Sequence, residues 1–107
     1  STERFLREDF MLTTKQRAAL RSQSNSLPDS VIIGKGGLTP TVLGELDTAL
    51  YHRELIKVSV LKNCDADIRS MAFEAAEKLG AESVQIIGGK FVLYRFSDKE
   101  GIEHIEY

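Results

Sequence analysis

Gly34-Lys35-Gly36-Gly37 is the stretch of this chain whose residue types and spacing are best suited to chemistry. Glycines at three of these four positions let the backbone turn sharply and approach a ligand closely, because no Cβ intervenes. The stretch lies between an apolar run, Val31-Ile32-Ile33, and a helix-start signal, Thr39-Pro40. In that order of strand, loop and helix, the helix directs free N–H groups and the positive end of its dipole at the loop. Such a site suits an anion, phosphate above all. Lys35 adds a mobile cation at the tip.

The spacing narrows the choice of phosphate. No G-x-x-x-x-G-K-[ST] occurs, so the loop is not a Walker A loop. Thr39 stands where a dinucleotide fingerprint needs glycine or a close substitute. Gly34 to Gly37 has instead the G-x-x-G form with which KH-type modules clamp a nucleic-acid backbone. Alone this is a weak signal, since glycines that merely turn a strand into a helix read the same. Three further features favour phosphate contact. Lys35 is the sole side chain between the glycines, Lys15, Arg17 and Arg21 offer a second basic surface, and Arg53 and Lys57 could extend it. Taken singly, each of these is more often a solvated surface charge.

Catalytic and metal-binding chemistry finds little support. His52 and His104 are the only histidines, and neither has metal-ligand spacing with Cys64 or with the other. Cys64 reads as a small semi-buried apolar residue, His52 as a helix-end residue, and Asp65 and Asp67 as helix-capping carboxylates. No catalytic residue, metal ligand or cofactor is assigned. Tyr94 and Phe96 fall on one face of the last strand and Phe91 on the other. They could stack bases, but packing is the favoured reading.

The elements that must position the loop follow from periodicity and punctuation. Thr13-Thr14-Lys15-Gln16 fits a capping box opening a helix from about Lys15 to Gln23. Val31 to Ile33 is a short buried strand. Thr39 as N-cap, Pro40 at the first helical position, and Val42, Leu43, Leu46, Ala49 and Leu50 at helical spacing predict a second helix ending near His52. Leu55 to Leu61 alternates as a strand, with Ile56, Val58 and Val60 on one face and Lys57 and Ser59 on the other. A third helix carries Ile68, Met71, Ala72, Ala75, Ala76 and Leu79 and stops at Gly80. Val84 to Ile87 and Phe91 to Phe96, joined by Gly88-Gly89, make a hairpin. The order αβαβαββ predicts a compact α/β sandwich.

Composition sets the outer bounds. A chain of 107 residues makes one domain with one real core. No apolar stretch is long enough to span a bilayer, and one cysteine excludes an internal disulfide, so the cytoplasm is the default compartment. The net charge of −2 argues mildly against nucleic acid, but residues 11–60, which hold the loop, carry +2, against −3 for residues 61–107. Residues 1–10 read as a leader, either added for expression or an upstream extension, ahead of a domain over 11–97. Residues 98–107 read as a loosely ordered acidic tail from which Ile102 and Ile105 could dock.

Assembled, these blocks resemble the CRM domain (chloroplast RNA splicing and ribosome maturation), in its bacterial single-domain YhbY-like form. The resemblance covers about residues 11 to 96. It is carried by Leu12-Thr13-Thr14-Lys15-Gln16, Gly34-Lys35-Gly36-Gly37-Leu38-Thr39, Arg53-Glu54-Leu55-Ile56-Lys57-Val58, and the hairpin Val84-Gln85-Ile86-Ile87-Gly88 with Val92-Leu93-Tyr94-Arg95. It implies a mixed four-stranded sheet with three helices, similar to the C-terminal domain of translation initiation factor three. It also implies an RNA-binding protein associated with precursors of the large ribosomal subunit, which we read as a non-catalytic monomer acting in assembly of that subunit. The family's loop maps onto Gly34 through Gly37, with Lys15, Arg17, Arg21, Arg53 and Lys57 as the flanking surface. The alternative is an enzyme or sensor holding a small phosphorylated ligand at the same loop. A third possibility is a module that reaches the ribosome through ribosomal proteins.

Overall fold

The computed structural model describes residues 13–62, 67–102, 104 and 105. Among them the elements are α1 (Thr14–Ser24), β1 (Asp29–Ile33), α2 (Pro40–Arg53), β2 (Leu55–Val60), α3 (Ile68–Leu79), β3 (Glu82–Ile87) and β4 (Lys90–Tyr94). This is the predicted αβαβαββ order. The leader over residues 1–10, Cys64 and Asp65 lie outside the described residues.

Each helix begins where its side chains can satisfy the first backbone donors. Thr13 Oγ1 accepts from the Gln16 N–H at 3.1 Å, and Gln16 Oε1 accepts from the Thr13 N–H at 3.0 Å, completing the capping box. Thr39 Oγ1 caps α2 by accepting from the Val42 N–H at 3.1 Å, with Pro40 in the first turn. Asp67 caps α3 in the predicted way, accepting from the Ser70 N–H at 3.1 Å. Gly80, at φ 64°, ends α3 in the left-handed conformation.

The strands form one mixed sheet in the order β1-β2-β4-β3. β1 runs parallel to β2, while β4 is antiparallel to both its neighbours. α2 and α3 cover one face, where Val31, Ile33, Ile56, Val58, Phe91 and Leu93 meet Leu46, Leu50, Met71, Ala72 and Ala75. α1 covers part of the other, where Leu20 packs on Leu55, Val84, Val92 and Tyr94. Because β4 is central, Phe91 to Tyr94 are all buried, alternating between the two clusters. Tyr94 is therefore a packing residue, in line with the favoured reading.

The last strand stops at Tyr94 rather than Phe96, and the described residues after it are docked, as the sequence allowed for Ile105; both features have one cause. Glu54, with no exposed surface, sits between α2 and β2 at φ 63° and ψ −42°. Its carbonyl accepts from the Arg95 N–H at 2.9 Å. Its carboxylate accepts from the Ser97 and Ile105 N–H groups, both at 2.8 Å, and lies 2.7 Å from His104 Nδ1. His104 in turn stacks on Phe96 at a centroid distance of 4.6 Å, and Ile105 joins the α1-side cluster. Hydropathy and charge conceal this arrangement, because the tail is held by polar bonds to one buried carboxylate.

Removing that carboxylate leaves two backbone donors without their acceptor. Glu54→Ala is expected to lower the unfolding free energy by on the order of 3 kcal/mol in urea denaturation, with partial recovery in Glu54→Gln. Equal midpoints for Glu54→Ala and the parent would contradict the role given to this residue.

Candidate nucleic-acid interface

The glycine loop sits at the end of the sheet where β1 and β2 finish and where α2 and α3 begin. The Leu61 N–H donates to the Ile33 carbonyl at 2.9 Å, closing the end of β1 against β2. The Gly89 carbonyl accepts from the Val60 N–H at 2.7 Å, bringing the β3–β4 turn to the same end. Within the loop the Gly37 N–H donates to the Gly34 carbonyl at 3.0 Å. Lys35 and Gly36 thus occupy the two central positions of a tight turn, and both are exposed.

The fold's demand for glycine is unequal along this loop. Gly37, at φ 68° and buried, adopts a conformation that costs other residues about 1–2 kcal/mol. Gly34 has no such backbone, and a Cβ there would meet only the Leu61 side chain, at 3.9 Å. At Gly36 a Cβ would crowd the Thr39 methyl at 3.3 Å. Turning the strand into the helix therefore accounts for Gly37 and leaves Gly34 unexplained.

The helix start behind the loop is less generous with donors than the sequence suggests. Pro40 has no N–H, Thr39 Oγ1 takes that of Val42, and the Thr39 carbonyl takes that of Leu43 at 2.9 Å. The Thr41 N–H remains as the first-turn donor used by neither cap nor helix. Together with Lys35, which has no ion-pair partner among the described residues, this can steady a phosphate passing the loop. It is too sparse to envelop one as a nucleotide-binding nest does.

The predicted basic residues fall in separate places. Lys57 is half-buried on the α1-side face, where strand alternation puts Ile32, Ser59, Lys90 and Ile87 in one cross-strand row. Lys90 Nζ bonds both Asp29 carboxylate oxygens, at 3.0 and 3.2 Å, and Ile32 and Ile87 are about 60% exposed. This open row borders the loop end of the sheet. Lys15 is exposed in the first turn of α1. Arg17 donates to the Ser83 carbonyl and lies 3.9 Å from Glu82, so it fastens α1 to β3. Arg21 lines a groove along the same strand. Arg53 ends α2, about 20 Å of helix away from the loop.

Residues 12–95 match the model of the CRS1/YhbY (CRM) domain. The chain belongs to that family. Across 87 residues it is 41% identical to the Bacillus subtilis protein named "Probable RNA-binding protein YqeI", covering 81% of this chain and 91% of that one. Identity to a Haemophilus influenzae protein named "RNA-binding protein" is 39% over 93 residues, covering 86% and 93%. The solution structure of the hypothetical protein SAV1595 from Staphylococcus aureus superposes with a TM-score of 0.73 at 40% identity, covering 87% of this chain and 98% of that one.

Within this CRM domain the sequence reading missed three surface residues that the fold makes prominent: Lys90, Arg69 and Phe73. Lys90 was masked by its place beside a turn, and Arg69 and Phe73 by a helix whose apolar stripe explains the residues around them. Another CRM-motif residue, Arg95, serves the frame: it bonds Asp47 Oδ1 at 2.7 Å and the Leu79 carbonyl at 3.0 Å, tying α2 to the end of α3. Among the described residues no group of three or more His, Cys, Asp or Glu is placed to hold a metal ion.

The unequal glycines can be checked by thermal and urea unfolding. Gly37→Ala is expected to cost about 1–2 kcal/mol and Gly34→Ala less than about 0.5 kcal/mol. Equal losses at the two positions would refute the assignment of the turn's strain to Gly37.

Proposed function

We propose that this CRM domain is a non-catalytic RNA-binding protein that acts, in the cytoplasm, on precursors of the large ribosomal subunit. The loop Gly34–Gly37 grips the RNA backbone: Gly34 and Gly36 admit close approach, Lys35 neutralises phosphate, and the Thr41 N–H points into the same region. The observation that carries this reading is Gly34, a glycine that neither its backbone conformation nor its surroundings require. The relatives named as RNA-binding proteins independently support RNA as the partner. The row Ile32, Ser59, Lys90 and Ile87, exposed at its two isoleucines, gives bases a surface beside the loop, and Lys57 lies behind it. Lys15, Arg17, Arg21 and Arg53 lie away from the loop, and toward RNA held there they act through the general field.

A small phosphorylated ligand at this loop is the weaker reading. The helix start offers one uncommitted N–H, whereas a nucleotide phosphate cradle uses several. An extended polyanion needs only a succession of such modest contacts.

Filter binding of precursor ribosomal RNA across a salt series tests the loop. Lys35→Ala is expected to weaken binding and to flatten the plot of log K against log salt by about 0.7, the loss of one single-strand phosphate contact. Gly34→Ala is expected to weaken binding with the slope retained. An unchanged slope in Lys35→Ala would remove Lys35 from the contact. Co-sedimentation with large-subunit precursors that survives ribonuclease would shift the attachment from RNA to ribosomal proteins.

A further inference from the structure

β3 is an edge strand, and a groove runs along it between α1 and α3. Arg17 and Arg21 line it from α1, and Arg69, Phe73 and Ala76 from α3, with β3 itself as the floor. The strand spans about 17 Å, enough for several nucleotides of an extended chain. Arg17 is committed to Glu82 and the Ser83 carbonyl. Arg21 and Arg69 have no carboxylate partner among the described residues and are exposed. Phe73 is 56% exposed, the most exposed aromatic among the described residues.

Two of these features run against local stability. Arg69 stands in the first turn of α3, where the helix dipole disfavours a cation. Phe73 leaves a large apolar ring in water although the neighbouring helix face, Met71, Ala72, Ala75 and Ala76, is fully used in the core. Residues that break a local rule together, around one groove, mark a surface with a use.

We infer that this groove takes single-stranded RNA, with a base stacked on Phe73 and the flanking phosphates held by Arg21 and Arg69. Guanidinium groups bind phosphate in bidentate fashion and stack on bases, and an aromatic ring accepts any base. The net positive lining favours a polyanion. A peptide added as a fifth strand fits less well, because Arg17 already occupies the Ser83 carbonyl and the ladder register shifts between Ser83 and Gln85. Since α3 runs from the loop end of the sheet, Arg69 lies toward Gly34–Gly37 and Arg21 away from it. The groove thus gives an RNA strand a track separate from the loop. The inference rests on the RNA-binding reading above and names a second contact for it.

Ultraviolet crosslinking of the full chain to a short oligouridine carrying 4-thiouridine, followed by trypsin and mass spectrometry, tests it. The expected adduct lies on the peptide Ser70–Lys78, which contains Phe73. Fluorescence anisotropy with the same oligonucleotide should show affinity falling at least about fivefold in Phe73→Ala, and also in Arg69→Ala, with melting temperatures close to the parent's. RNA binding with every adduct elsewhere, and both variants matching the parent, overturns the groove while leaving RNA binding intact. No binding by the parent at any salt concentration overturns both readings. Capture of a hexaglutamate peptide that Phe73→Ala abolishes, with RNA affinity untouched, assigns the groove to protein and also overturns it.

Discussion

Glu54 is the residue on which the arrangement turns. Its positive-φ backbone reverses the chain from α2 into β2, a conformation that costs a non-glycine residue about 1–3 kcal/mol. Glycine would relieve that cost, but glycine has no carboxylate. The carboxylate accepts the Ser97 and Ile105 N–H groups and meets His104, so one side chain fixes the end of α2, the start of β2 and the last described residues. With Arg95 tying α2 to α3 from the same end of the sheet, the distal ends of both helices are anchored. Their proximal ends flank the glycine loop.

This division of the molecule into an anchored end and an open end organises its chemistry. At the anchored end, polar side chains are spent on internal bonds: Arg17 on Ser83 and Glu82, Arg95 on Asp47, His104 on Glu54. At the open end Lys35 has no ion-pair partner among the described residues, and Ile32, Leu61 and Ile87 are exposed around it. The net charge of −2 is a sum over the whole chain, and what a polyanion meets locally at the loop includes Lys35.

Much of this was legible in the sequence because local signals and tertiary demands agree. The capping box at Thr13, Thr39-Pro40 and Gly80 all place helix ends where the structure has them. Alternation over Ile56, Val58 and Val60 gave the buried face of β2 correctly, and the glycine turn gave the hairpin. What escaped was long-range. Nothing in the spacing of Glu54 announces partners some 43 to 51 residues away. Nor does α1's sequence reveal that Arg17 serves β3 while Arg21 faces a groove shared with Arg69. Periodicity assigns a residue to a face of its own element, not to what stands opposite that face.

The central claim is that RNA meets the open end of the sheet at Gly34–Gly37. Titrating the ¹⁵N-labelled chain with single-stranded RNA, and following backbone amide shifts by nuclear magnetic resonance, tests it most directly. The account predicts saturable shifts at Lys35, Gly36, Gly37 and Thr41, with the amides around Glu54 and Ser97 unmoved. Saturable binding that leaves those four loop-end amides in place would contradict it.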